Sequence, residues 1–156
     1  MRTIDISYFS KDWRGSQLSN LTPSPFEFEG IPLACVESLV QSLNFSEDDL
    51  RHTLCLELDG LECQSMAFAA AEGVGGFHWE GREVSPAERD ALIGRAIVEK
   101  FEVCSRARMA MTACGEIEFA YDPDPEVEAV SLNAGTFLDI LRGIRDDFKS
   151  RGLMVL

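Results

Sequence analysis

The segment from Ser85 to Phe101 limits the possible folds more than any other stretch, because it combines a strong helix start with an apolar stripe. Ser85, Pro86 and Glu88 occupy the N-cap, the first helical position and the third position of a capping box. Apolar residues then recur at helical spacing, at Leu92, Ile93, Ala96, Ile97 and Phe101. We therefore expect a long helix that buries this stripe against the rest of the domain.

Four further helices are expected from periodicity and end signals. A long amphipathic helix near the C-terminus is predicted to end near Gly152. Its apolar positions are Phe137, Leu138, Ile140, Leu141, Ile144 and Phe148. A shorter helix over residues 106–113 is expected to stop at Gly115, which suits a left-handed cap. Ser46 is a predicted N-cap for another helix, and a helical stretch is also predicted over residues 62–71.

Three segments alternate between apolar and polar residues, as half-buried strands do: 4–9, 26–30 and 117–121. Residues 11–25 are rich in Ser, Asn, Pro and Gly and are predicted to form a long loop. The glycine-rich residues 73–76 are interpreted as a flexible hinge, since they lack a phosphate-binding spacing. The pattern predicts the α+β class, with a mainly helical domain and a small antiparallel sheet.

The length of 156 residues fits one domain, 1–156. A formal net charge of −13 repels polyanions, so non-specific duplex nucleic acid and anionic membranes are not expected partners. No window approaches the roughly 20 apolar residues of a membrane span. We therefore expect a cytoplasmic protein, and the sequence predicts no oligomeric state.

Cysteine and histidine usage argues against a metal or disulfide scaffold. The five cysteines form no CxxC pair, and only two histidines are present. We expect mostly buried free thiols in a reducing compartment, with no metal site and no cofactor.

Glu37 is the residue on which a functional prediction depends. In a helix over residues 33–41, Glu37 and Gln41 are neighbours one turn apart at the edge of an apolar stripe. The stripe consists of Val36, Leu39, Val40 and Leu43. Such an acid and amide either line a pocket or face solvent, and periodicity alone leaves both readings open.

Taken together, several short motifs resemble the NADAR (YbiA-like) family, and the resemblance spans nearly the whole chain. In the first part these motifs are Ile6–Ser10, Leu18–Leu21, Pro25–Phe26, Glu29–Gly30 and Val36–Glu37 with Gln41. Downstream they are Gly81–Arg82, Arg95–Phe101 and Leu132–Arg142. The resemblance implies a YbiA-like fold and activity on ADP-ribose-related N-glycosides.

The resemblance implies catalytic roles for two acids. Glu37 would activate water or stabilise the cation-like sugar that forms when a ribosyl C–N bond breaks. The family's aspartate corresponds to Asp124 or, less well, to Asp122, both in a proline-rich segment predicted to be irregular. Asp124 would bind ribose or act as a second acid, and the alternative is that both aspartates are ordinary turn residues.

The ligand-binding residues implied by the resemblance are Asn20, Gln41, Trp79, Arg82 and Arg142. Amide side chains suit ribose hydroxyls, and arginine forks suit phosphates. Trp79 or Trp13 would stack on a base. The alternatives are that Trp79 belongs to the core and that Arg142 interacts with the helix dipole and forms salt bridges with Asp139, Asp146 or Asp147.

Two functions follow from this resemblance. The first is an N-glycosidase-like hydrolase acting on an ADP-ribose-related or ribosyl-phosphate N-glycoside, with a small phosphorylated ribose or nucleotide as its ligand. The second is a catalytically impaired protein of the same fold that binds a nucleotide, ADP-ribose or a protein partner. Leu39 and Val40 motivate the second, because the family usually has a histidine and an aromatic residue there.

Overall fold

The computed structural model describes residues 2–70 and 76–155, with the side chains of 68–70 left out of the description. The helices are α1 (Trp13–Leu18), α2 (Val36–Ser42), α3 (Leu50–Glu57), α4 (Gly60–Ala70), α5 (Pro86–Val103), α6 (Ser105–Cys114), α7 (Pro125–Val130) and α8 (Ala134–Ser150). The strands are β1 (Thr3–Asp5), β2 (Phe26–Phe28), β3 (Ile31–Leu33), β4 (Phe77–Trp79), β5 (Arg82–Val84) and β6 (Glu118–Ala120). The predicted α+β class with a helical majority is confirmed.

The described strands form three separate pairs instead of one small sheet. β2 pairs with β3 and β4 with β5, both antiparallel, whereas β1 and β6 pair in parallel. Both hairpins turn through a Glu-Gly dipeptide with positive φ at each residue, at Glu29–Gly30 and Glu80–Gly81. Two consecutive left-handed residues are the geometry of a type I′ turn, which glycine favours and which matches the twist of the strands.

The strongest predicted helix ends are confirmed. The Ser85 hydroxyl accepts a hydrogen bond from the Glu88 amide at 3.1 Å, and the Glu88 carboxylate accepts one from the Ser85 amide at 3.5 Å. α6 stops at Gly115, which has a φ of 55°. At the start of α8, which the sequence did not predict, Asn133 caps the helix by accepting a hydrogen bond from the Thr136 amide. These contacts are local, so the sequence determines them directly.

Two helices lie where the sequence predicted loop or left the structure open. α1 interrupts the predicted loop at 11–25, because Asp12 caps it and Gly15 lets it approach β1. A Cβ at Gly15 would lie only 2.0 Å from the Asp5 carbonyl oxygen. α7 follows directly after Asp124, and the N-cap of α3 is Asp49 instead of Ser46. Of the predicted hinge, residues 73–75 lie outside the described residues.

α2 lies at the centre of the core, and all seven of its residues are buried. The predicted stripe of Val36, Leu39, Val40 and Leu43 is fully buried. Four of the five cysteines are buried free thiols, and Cys104 is half-buried. Within residues 2–70 and 76–155, no helix is long and apolar enough to cross a membrane.

The core also contains a lysine. Lys100 on α5 is 1% exposed, and its ammonium donates a hydrogen bond to the Ser19 carbonyl oxygen at 2.8 Å. Burial lowers the pKa of Lys100 to about 8 from its usual 10.5. A protonated lysine therefore costs folding free energy at neutral pH, and the Ser19 contact offsets part of that cost.

Replacing Lys100 with methionine should change how stability depends on pH. Above about pH 8 the folded protein has lost the Lys100 proton, while the unfolded chain keeps it up to about pH 10.5. Stability of the wild type should therefore rise relative to Lys100→Met, by roughly 2 kcal/mol between pH 7 and pH 10. Urea unfolding at both pH values measures this difference.

The matched control is Lys11→Met, because Lys11 is exposed. Its stability difference from the wild type should stay nearly constant over the same pH range. A constant difference for Lys100→Met as well would contradict the lowered pKa.

Candidate functional site

A cleft of about 250 Å³ lies where the N-terminal segment, α2, α4 and the region around α7 meet. Its wall residues come from distant parts of the sequence. They are Ser7, Tyr8, Phe9, Ser19, Asn20, Leu21, Glu37, Leu61, Gln64, Tyr121, Asp122, Pro123, Asp124, Val127, Ser131, Leu132 and Phe137. The structure thus brings three of the predicted site residues, Glu37, Asn20 and Asp124, to one cleft.

Glu37 is the second residue of α2 and is only 3% exposed. Its backbone amide donates to the Asn20 carbonyl oxygen at 3.0 Å, which ties the helix start to the cleft wall. The carboxylate Oε1 accepts hydrogen bonds from Gln41 Nε2 at 2.6 Å and from Ser131 Oγ at 2.8 Å. The carboxyl group is therefore held in one orientation at the inner end of the cleft.

Gln41 donates a hydrogen bond to the Glu37 carboxylate but does not itself line the cleft. Its Nε2 also donates to the Val130 carbonyl oxygen at 2.9 Å, and its Oε1 accepts from Asn44 Nδ2 at 2.9 Å. Because both ends of the fully buried amide are occupied, Gln41 is a positioning residue instead of the ligand-binding residue predicted from the sequence.

The environment of Glu37 favours its protonated form. Burial raises the pKa of the Glu37 carboxyl above its usual value of 4.5. Hydrogen bonds from Gln41, Ser131 and Gln64 and the positive charge of Arg89 oppose this rise without cancelling it. A carboxyl with a raised pKa holds its proton more strongly than an exposed one, as groups that take and return protons in catalysis often do.

Asn20 contributes an acceptor that has no hydrogen-bond partner among the described residues. Its Oδ1 is buried, and the surrounding main chain is fixed on two sides. Glu37 donates to the Asn20 carbonyl, and Lys100 donates to the carbonyl of the preceding Ser19. A buried acceptor without a hydrogen bond lowers the stability of the fold by about 1–3 kcal/mol. A ligand hydroxyl that donates a hydrogen bond to Oδ1 would recover part of this free energy.

Asp122 and Asp124 lie in the segment between β6 and α7, and both are exposed. Asp124 occupies the N-cap of α7 without capping it through its side chain. Tyr121 lies beside them and packs edge-to-face on Phe137, with ring centroids 5.2 Å apart. Burial and the nearby charges of Glu37 and Glu128 raise the pKa of Tyr121 to about 12. Its phenol therefore stays protonated at neutral pH.

The structure does not bring the remaining predicted ligand residues to this cleft. Trp79 is 3% exposed and packs near Phe28. It is therefore a core residue, which was the alternative to a ligand-binding role. Arg82 pairs with Glu88 at 2.9 Å, and it shares a separate shallow groove with Trp79. Trp79 and Arg82 are directly opposite partners in the β4–β5 hairpin and so lie on the same face. The Trp79 ring is buried near Phe28, whereas Arg82, at the turn, extends to Glu88 and stays exposed.

Arg142 lies on α8 and pairs with Asp139 at 3.3 Å, outside the cleft. The salt-bridge alternative therefore accounts for Arg142, whereas its position in the middle of α8 is too far from the helix end for the dipole to matter. Trp13, the second candidate for stacking on a base, is 53% exposed on α1 and also does not line the cleft. No arginine or tryptophan is among the described residues of the cleft wall.

Sequence reasoning missed the residues that hold Glu37 from other elements. Gln64 on α4 and Ser131 before α8 hydrogen-bond to its carboxylate. Ser131 lies 94 residues from Glu37, and no local spacing signals such a contact. Arg89 is 8% exposed and donates a hydrogen bond to the Ser131 carbonyl oxygen at 3.0 Å, which helps to hold Ser131 beside Glu37. Among the described residues, no cluster of three or more histidine, cysteine or acidic side chains is arranged to hold a metal ion.

Comparison with known proteins supports the fold. No protein-family model matches the sequence, and no curated protein matches it at a significant level. The chain is similar to the solved NMR structure of the E. coli protein YbiA, with a TM-score of 0.68 and 14% sequence identity. The match covers 99% of this chain and 89% of that chain. The YbiA-like fold predicted from the sequence motifs is confirmed, and at this identity the likeness shows the fold alone.

Replacing Glu37 with glutamine should stabilise the protein. The folded-state pKa of Glu37 is raised, so its ionised form destabilises the fold as pH rises above 4.5. Glutamine keeps an acceptor for Gln41 and Ser131 without the buried charge. We expect a gain of roughly 1 kcal/mol at pH 8, shrinking toward pH 5, measured by urea unfolding.

Glu126→Gln is the control, because Glu126 is exposed on α7 and its replacement changes net charge equally. It should leave stability nearly unchanged. If Glu37→Gln is less stable than the wild type at pH 8, the hydrogen bonds to the ionised carboxylate outweigh the free-energy cost of burying its charge, which contradicts this prediction.

Proposed function

We propose that this protein is an N-glycosidase-like hydrolase that cleaves the bond between ribose and a base in an ADP-ribose-related or ribosyl-phosphate compound. The observation that carries the proposal is the placement of Glu37. A buried carboxyl with a raised pKa, oriented by Gln41 and Ser131, faces a cleft that Asn20 and Asp124 also line. Protonatable carboxyl groups in clefts are frequent catalytic groups.

The chemistry of the proposed reaction matches this arrangement. Breaking a ribosyl C–N bond passes through a sugar with cationic character at C1′, which a nearby carboxylate stabilises. Glu37 takes a proton from the attacking water or balances the charge on the sugar. Its orientation by two hydrogen bonds means that it does not reorganise during the reaction.

Asn20 and Asp124 would bind the sugar. The unpaired Oδ1 of Asn20 accepts a hydrogen bond from a ribose hydroxyl, and Asp124 accepts a second or serves as the second acid. The cleft volume of about 250 Å³ is below the ~300–1,000 Å³ of sites for drug-sized ligands. A ribosyl unit therefore occupies the cleft, while any phosphate lies beyond its mouth.

A second function is favoured by a specific observation. Glu37 is 3% exposed, and its Oε1 already accepts two hydrogen bonds, which leaves little room for a catalytic water. The alternative is a catalytically impaired protein that binds a nucleotide or ADP-ribose ligand, or a protein partner. Calorimetric binding of ADP-ribose without any turnover would favour this alternative.

The enzyme function is tested by measuring release of free base from ADP-ribosylated nucleobases and nucleotides. Glu37→Gln should lower kcat by about 100-fold or more, because it removes the group that accepts the proton. Asp124→Asn should have a smaller effect, about tenfold, since an amide still hydrogen-bonds to ribose.

Asp139→Asn is the control for charge, because Asp139 is exposed on α8 and outside the cleft. It should keep wild-type rates. Equal rates for wild type and Glu37→Gln, or no base release with any substrate, would refute the enzyme function.

A further inference from the structure

The ionisable groups of the cleft wall are strongly biased toward negative charge. Three carboxyl groups line it, those of Glu37, Asp122 and Asp124. Of the described residues on this wall, none is lysine, arginine or histidine. Arg89 lies behind it, where its guanidinium pairs with Asp90 and donates to the Ser131 carbonyl oxygen. A ligand group in the cleft therefore meets carboxylates first.

The same wall carries four aromatic rings in two edge-to-face pairs. Tyr8 and Phe9 have ring centroids 5.0 Å apart with an interplanar angle of 89°. Tyr121 and Phe137 form the second pair at 5.2 Å and 79°. Phe9 is 73% exposed, so an aromatic surface is available to a ligand at the cleft. Aromatic faces attract cations and stack on planar rings.

We propose that this cleft selects N-ribosides whose base is a positively charged heteroaromatic ring. The inference rests on the proposed function and specifies its substrate class. The ribose would lie between Glu37 and Asn20, and the charged base would contact the ring of Phe9 near Asp122 and Asp124. Carboxylates beside aromatic rings attract such a base twice, through charge and through the ring faces. A phosphate in the same place would be repelled.

A cationic base also simplifies the reaction. When the C1′–N bond breaks, its electron pair goes to the ring nitrogen, which becomes neutral and needs no proton to leave. The oxygen of water forms the new bond to C1′, and the proton of that water passes to Glu37 and then to solvent. The products are free ribose or its derivative, a neutral base and one proton. The neutral base has lost its attraction for the carboxylates, which favours its release.

Binding is tested with two probes that share one skeleton and differ in charge. N-ribosyl nicotinamide carries a cationic pyridinium ring, and its dihydro form is neutral. Calorimetry with Glu37→Gln protein avoids turnover during the measurement. We expect the cationic probe to bind about tenfold more tightly, which corresponds to about 1.4 kcal/mol. The preference should weaken with added salt, because the aspartates are exposed to solvent.

The carboxylates are tested by replacing both Asp122 and Asp124 with asparagine in the same background. This change should remove most of the preference for the cationic probe, because only the attraction of the Phe9 ring remains. Asp139→Asn with Asp146→Asn is the matched control, because both residues are exposed on α8 and the net charge changes equally. The control should keep the preference. Equal binding of the two probes, or a preference that is unchanged by the loss of Asp122 and Asp124, overturns the inference.

Turnover by the wild-type protein separates this inference from the proposed function. Release of nicotinamide from the cationic probe together with the binding preference supports both. A preference in binding without base release from any substrate supports the inference about the cleft and refutes the hydrolase. Base release from ADP-ribosylated nucleobases with equal binding of the two probes supports the hydrolase and refutes a cationic substrate.

Discussion

The hydrogen bonds that Glu37 accepts from Gln41 and Ser131 hold the site together. They satisfy a buried carboxyl and at the same time join α2 to the segment before α8, across 94 residues of sequence. A buried carboxyl without such partners would cost several kcal/mol. The inner end of the cleft is thus a consequence of how one charge is accommodated in the core.

The part of the cleft wall next to Glu37 includes the main chain of Ser19 and Asn20, which is held by hydrogen bonds. Lys100 donates to one carbonyl and Glu37 to the next, so two buried ionisable residues determine the course of this short segment. The side-chain Oδ1 of Asn20 has no hydrogen-bond partner among the described residues. An unpaired buried acceptor is a cost that the fold does not relieve, and such costs are concentrated at functional sites.

Local rules predicted much of the fold. The capping box at Ser85, the stop at Gly115 and the stripe of α2 depend on residues within a few positions of each other. α1 escaped prediction because Gly15 reads as a loop residue until its contact with Asp5 is known. The β4–β5 hairpin could not be predicted from the alternation of apolar and polar residues, because each of its strands is only three residues long.

The site was predicted in part, and the division has a physical cause. Glu37 and Asn20 lie in the motifs of the N-terminal half, where the resemblance is most specific, and they meet through one backbone hydrogen bond. The surroundings of Glu37 also include Gln64, Ser131 and Arg89, which come from other elements. Only tertiary packing brings them together, so no local pattern predicts them. The arginines expected to bind phosphate do not reach the cleft, because each pairs with an acid close to it in sequence: Arg82 with Glu88 at the start of α5, and Arg142 with Asp139 on α8.

The charge of the cleft also constrains how a phosphorylated ligand would bind. With a net charge of −13 and only acidic side chains among the ionised groups of the wall, the protein gives an anion no favourable field to enter. A phosphate can then remain only in solvent, beyond the mouth, where screening weakens the repulsion. In the proposed reaction, buried polar groups would therefore bind the sugar, and the phosphate would stay outside the cleft, whereas an arginine-lined pocket would bind both.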